Sequence, residues 1–180
     1  MNTRYFVAGL VAVSFVAAAS RVYAADERVT YFLGEVRMST PAGRLVATTL
    51  SLVRRALTPD ENRMVEVVAS IDSTKPTKEF TTVFEVQGSR FVMKDAEGAF
   101  TGAGELKGAP WEWTGWSYEV EFTGATPGKL KGDDVLNGDG LTARKSFMTP
   151  DGVVRAQFVE ELKPISKAAY DILHSRLLPK

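Results

Sequence analysis

The chain is predicted to be mainly β: an antiparallel up-and-down β-barrel of about 8–10 strands with one C-terminal α-helix packed outside. Three observations predict it. Apolar and polar residues alternate with period two over most of the chain. Turn-forming Gly, Pro, Asn and Asp interrupt that alternation at short intervals. The period changes to a helical one only after Leu162. There is no cysteine among the 180 residues, so a hydrophobic core must hold the fold without disulfides, and the length is ample for one such core.

The first 24 residues read as a cleavable signal peptide. Met1 to Arg4 carry one positive side chain, Tyr5 to Ala19 form an apolar run, and Val22-Tyr23-Ala24 places small residues before a cleavage point. The apolar run is shorter than the roughly 18–20 residues of a membrane span, and Arg21 interrupts the segment. Residues 25–180 are then expected to form a single domain, periplasmic or secreted. Cleavage removes Arg4 and Arg21 and leaves 20 basic against 22 acidic side chains. These are interspersed, which gives no footprint for nucleic acid or for an anionic membrane.

Strands are expected over 29–38 and 44–56, followed by a turn at Thr58-Pro59-Asp60-Glu61-Asn62 and a strand over 63–72. Phe80, Thr82, Phe84 and Val86 alternate with Thr81, Val83, Glu85 and Gln87, and Gly88-Ser89 makes a two-residue hairpin turn. That turn pairs Gln87 with Arg90, Val86 with Phe91 and Phe84 with Met93, a register that puts apolar side chains of both strands on one face. A glycine-relieved strand over 99–106 and a short one over 129–136 flank a long aromatic strand over 111–123. In that long strand Trp111 and Trp113 share one parity while Trp116, Tyr118, Val120 and Phe122 share the other. A β-bulge at Gly115 would return all six to one face.

The last hairpin turns at Pro150-Asp151-Gly152. Folding there sets Phe147 opposite Val154, Lys145 opposite Ala156, Ala143 opposite Phe158 and Leu141 opposite Glu160. Lys145 and Glu160 both fall on the apolar face, about four positions apart along the ladder, roughly 13 Å at some 3.3 Å per residue. At that distance they do not pair, and an unpaired buried charge costs several kcal/mol. Each therefore calls for water at a barrel mouth, a partner on another strand, or a polar group of a ligand. From Pro164 the spacing of Ile165, Ala169, Ile172, Leu173 and Leu177 predicts an amphipathic helix over 164–178.

Catalytic chemistry has few anchors. His174 is the only histidine and reads as a partly exposed helix residue, so multi-histidine metal sites are excluded and no serine sits in a nucleophile elbow. Asp133-Asp134 reads as a solvated turn. A calcium site built from Asp133, Asp134, Asn137 and Asp139 is the sharper alternative, though it lacks EF-hand spacing. No catalytic residue, metal or cofactor is assigned.

A meander of antiparallel strands closed by one helix resembles the lipocalin-like, calycin-type barrels in length, strand count and terminal helix. The Gly-x-Trp signature of lipocalins is missing, since Gly34 is followed by Glu35 and Val36. The resemblance implies a closed barrel with an internal cavity, in families that mostly bind small apolar molecules. A barrel in a membrane is disfavoured by Lys145 and Glu160 on the apolar face. The leading expectation is an exported binding protein for a small apolar or amphipathic ligand, lined by Trp111, Trp113, Trp116, Tyr118, Phe84 and Phe158, with Lys145 and Glu160 as polar anchors. A cofactor-free isomerase or cyclase using Lys145 or Glu160 as acid or base is the second. An envelope accessory protein, a solid barrel with a protein partner on its outer surface, is the third.

Overall fold

The computed structural model describes residues 28–58, 63–72, 77–109, 112–123, 126–138 and 140–178. The segment expected to be a signal peptide, most of the 58–62 turn, Trp111 and Asp139 lie outside the described residues. Ten strands follow one another in chain order: β1 (Arg28–Ser39), β2 (Leu45–Leu57), β3 (Arg63–Ile71), β4 (Lys78–Gln87), β5 (Arg90–Asp95), β6 (Phe100–Ala109), β7 (Glu112–Phe122), β8 (Gly128–Asn137), β9 (Gly140–Met148) and β10 (Val154–Pro164). Each pairs antiparallel with its sequence neighbours, and β1 pairs with β10, so the sheet closes into a barrel without a free edge. Closure satisfies every strand's backbone and removes the templates for aggregation that open edges present.

Period-two patterning sorts the side chains. Phe32, Val53, Met64, Val68, Phe84, Phe91, Met93, Phe100, Trp116, Val120, Leu130 and Phe158 belong to one buried cluster inside the barrel. The outer surface carries cross-strand ion pairs: Arg37 with Glu161 at 2.9 Å, Glu119 with Lys129 and Lys131 at 3.3 and 3.1 Å, Lys94 with Glu85 at 3.5 Å, and Lys107 with Asp133. Such exposed pairs add little stability. Their position outside matters more, because charges on a lipid-facing barrel surface cost about 2–4 kcal/mol each at mid-bilayer. Among the described residues no helix is long and apolar enough to cross a membrane.

The β4–β5 hairpin has the expected register, Val86 opposite Phe91 and Phe84 opposite Met93. In β7 the irregularity falls where the parity flips: Lys107 faces Gly115 while Gly108 faces Trp113, so one extra residue, Thr114, is accommodated. Trp113, Trp116, Tyr118 and Val120 are all buried as a result.

Two expectations are corrected at the C-terminal end. Pro164 does not start the helix; it ends β10 opposite Phe32. The helix α1 (Lys167–Leu177) begins after Ser166, whose hydroxyl accepts the Ala169 N–H at 3.2 Å, a cap that competes well with a proline start. The buried face is also rotated. Tyr170 is the buried helix residue, packed with Leu52, Ala69, Tyr31 and Leu173, whereas Ile172 is 53% exposed. The helix lies outside the barrel against β1 and β2, where Leu52 and Ala69 point away from the barrel interior and need cover.

Candidate functional site

Five ionisable side chains point into the barrel and are almost wholly shielded from water: Arg55 on β2, Glu66 on β3, Asp134 on β8, Lys145 on β9 and Glu160 on β10. Each follows from strand parity. Arg55 is two residues from Val53, Glu66 lies between Met64 and Val68, and Asp134 is four residues from Leu130, all of which are inward. Asp95 is also inward, but its carboxylate accepts the backbone N–H groups of Glu97 and Ala99 at 3.1 Å and so belongs to the β5–β6 turn.

The five form two ion pairs and a carboxyl. Arg55 and Glu66 are direct cross-strand neighbours; Nε and Nη2 donate to Glu66 Oε2 at 2.9 and 2.6 Å, and the guanidinium lies over the Phe32 ring, 5.3 Å from its centroid. Lys145 Nζ donates to Glu160 Oε2 at 2.6 Å. Asp134 Oδ2 accepts the Trp116 indole N–H at 2.9 Å, and Tyr118 also hydrogen-bonds the Asp134 carboxyl. On β4, Thr82 faces Glu66 across the ladder, fully buried.

The electrostatics follow from burial. Desolvation pushes the Glu66 carboxyl up to about 7 against the pull of Arg55, with Glu160 adding to the rise. It lifts Asp134 well above the usual carboxylate range, Glu160 again adding, while Lys145 and the Trp116 bond oppose. Burial and the neighbouring Asp134 raise the Tyr118 hydroxyl. Desolvation lowers Arg55, with Glu66 opposing. Glu160 raises both Glu66 and Asp134, and Lys145 lowers both, so the two ion pairs and the Asp134 carboxyl act as one group, an ionic layer. No family model matches the chain, and no curated protein matches it.

Of the residues expected at a ligand site, Trp113, Trp116, Tyr118, Phe84 and Phe158 share the interior cluster, and Trp111 is outside the described residues. The expectation that Lys145 and Glu160 stand apart is overturned. The Thr149–Val153 turn is longer than assumed, with Thr149 N–H donating to Val153 O and Gly152 N–H to Thr149 O. The β10 register then shifts between Val154 and Ala156. Lys145 therefore faces Phe158 and Glu160 faces Ala143, a two-residue slip that keeps parity and brings the two charges together. Asp133-Asp134 is likewise a strand segment and not a turn: Asp133 points out to Lys107 and Asp134 points in, so they cannot share a cation. Arg55, Glu66 and Asp134 are site residues that the sequence marks only through the parity of their own strands, each at an even spacing from an inward apolar residue.

The interior around this layer is filled. Trp116, Phe84, Glu66, Asp134 and Glu160 have no exposed surface, so nothing the size of a water molecule stands beside them. Glycines make the room: a Cβ on Gly132 would overlap the Tyr118 ring, and one on Gly104 would overlap the Phe91 ring. Three methionines, Met38, Met64 and Met93, also line the lumen; unbranched and polarizable, they are the side chains that repack most readily.

Proposed function

We propose that the protein is an exported binding protein that holds a small amphipathic molecule in the barrel, its polar end at the ionic layer and its apolar part against Trp113, Trp116, Phe84 and Phe158. The observation that carries this reading is an ionic layer, in the middle of an apolar lumen, with hydrogen-bonding capacity left over. Glu66 Oε1, Asp134 Oδ1 and Thr82 Oγ1 are buried without a hydrogen-bond partner. A barrel that only had to be stable would gain by replacing buried ion pairs with apolar side chains of similar volume, and an unmet buried acceptor costs about 1–3 kcal/mol. Polar groups of a guest would meet that need. The methionine lining allows the close-packed lumen to open around it. The N-terminal apolar segment supports export.

Titrating small amphipathic and aromatic compounds while following intrinsic tryptophan fluorescence tests the reading, because Trp116 touches the layer directly. A saturable response is expected. Its absence across chain lengths and head groups would leave the filled barrel as a scaffold. The zero exposure of Trp116 and Phe84 favours that second reading, a solid barrel that presents its outer surface to an envelope protein.

A further inference from the structure

The ionic layer has a definite charge. Among the described residues, the inward ionisable groups outside the β5–β6 turn are two cations, Arg55 and Lys145, and three carboxyls, Glu66, Asp134 and Glu160. Arg55 engages Glu66 and Lys145 engages Glu160. Asp134 has no ion-pair partner among the described residues; its bonds are to the neutral Trp116 indole and Tyr118 hydroxyl. The two oxygens left without a hydrogen bond on the carboxyls Glu66 and Asp134 are acceptors. Thr82, whose hydroxyl is fully buried without a partner, stands opposite Glu66 and can accept as well as donate.

A guest that meets the oxygens of Asp134, Glu66 and Thr82 brings donors, and the surplus carboxyl favours one that also brings a positive charge. Resting on the binding reading above, we propose that the ligand is a cationic amphiphile of the protonated-amine or amidinium class, its head group held between Asp134 Oδ1, Glu66 Oε1 and Thr82 Oγ1. A fatty carboxylate is disfavoured by the same count, because it would add a negative charge to a layer whose two cations are already engaged by Glu66 and Glu160. Without a guest, a proton on Asp134 serves as the missing positive charge, in keeping with the upward push that burial gives this carboxyl. Binding then exchanges a proton for the cationic head. The groups facing that exchange are Arg55, Glu66, Tyr118, Lys145 and Glu160, from β2, β3, β7, β9 and β10.

The test compares octylamine, octanol and octanoate, which share one chain and differ in head group, by calorimetric titration near pH 8 with tryptophan fluorescence as a second readout. The amine is expected to bind about tenfold or more tightly than the alcohol, as a charge-assisted hydrogen bond predicts, and octanoate more weakly than either. The preference persists at high salt, where surface charges are screened, and binding releases a proton to the buffer. Asp134→Asn is expected to remove the preference for the amine over the alcohol. Equal binding of amine and alcohol, or tighter binding of octanoate, would overturn the cationic assignment while leaving the binding reading intact. Failure of all three to bind would overturn both. Should the Asp134 variant not fold, the head-group series on the unmodified protein still decides.

Discussion

Lys145 and Glu160 meet on the diagonal between β9 and β10, 2.6 Å apart and sealed from solvent. Neither faces the other in the ladder: Lys145 is opposite Phe158 and Glu160 opposite Ala143. Removing one partner leaves a buried, uncompensated charge. Lys145→Met should cost about 3–5 kcal/mol in urea unfolding, whereas Lys145→Met combined with Glu160→Leu should recover most of that loss. A single variant as stable as the parent would show that the charge finds water.

Glu66 titrates at about 7 in the fold against an ordinary 4.5. Between those values the folded chain holds more protons than the unfolded one, so this group's contribution is full at the acid end and is lost as pH rises to about 7. The loss amounts to at most about 3 kcal/mol. Asp134 acts in the same direction. Urea midpoints should therefore be higher near pH 5 than near pH 8, provided the exposed carboxylates stay ionised.

Asp134→Asn imitates the protonated carboxyl and keeps an acceptor for the Trp116 indole. It should leave stability near pH 8 unchanged or raise it, and flatten the pH dependence. A loss like that of Lys145→Met would mean that Asp134 is ionised in the fold.

Gly132→Ala places a methyl group within the Tyr118 ring. The ring must give way, and overpacking of this kind costs about 1–3 kcal/mol. Gly138 is a useful control, since its constraint is a left-handed backbone, φ 60°, with open space around it. Alanine there should affect stability without altering the near-ultraviolet signal of the buried aromatic residues, as Gly132→Ala should.

Tyr170 anchors the helix by packing its ring at a tilt against Tyr31, centroids 4.9 Å apart, and by covering Leu52 and Ala69. One turn on, His174 lies 2.8 Å from Glu79 on the sheet. Tyr170→Ala should cost about 3 kcal/mol and speed amide exchange over 167–177, with β4 to β8 unaffected. Uniform acceleration throughout the chain would mean that the helix and barrel unfold as one unit.

Legibility in the sequence tracked the tightness of each turn. Gly88-Ser89 leaves the chain one way to fold back, and the pairs around Phe84 and Met93 followed correctly. Pro150-Asp151-Gly152 marks a reversal but not its length, so the faces of β9 and β10 were right while the partners were two residues out. The Gly115 region worked because large residues on both parities demand an extra one between them. The ionic layer is different. Arg55 and Glu66 face each other across the β2–β3 hairpin, but Asp134 comes from β8, far along the chain, and barrel closure brings it to the same lumen. The helix boundary is ambiguous in sequence because Pro164 suits both a helix start and the end of a strand, and the Ser166 cap decides it.

The seam between β1 and β10 has a temporal consequence. The strands that close the barrel are the first and last of the described strands, and neither can complete its hydrogen bonds until the other has arrived. Contacts between positions this far apart slow folding. Under the export proposed above, such lateness is useful: the barrel stays open until β10 has followed β1 across the membrane and paired with it.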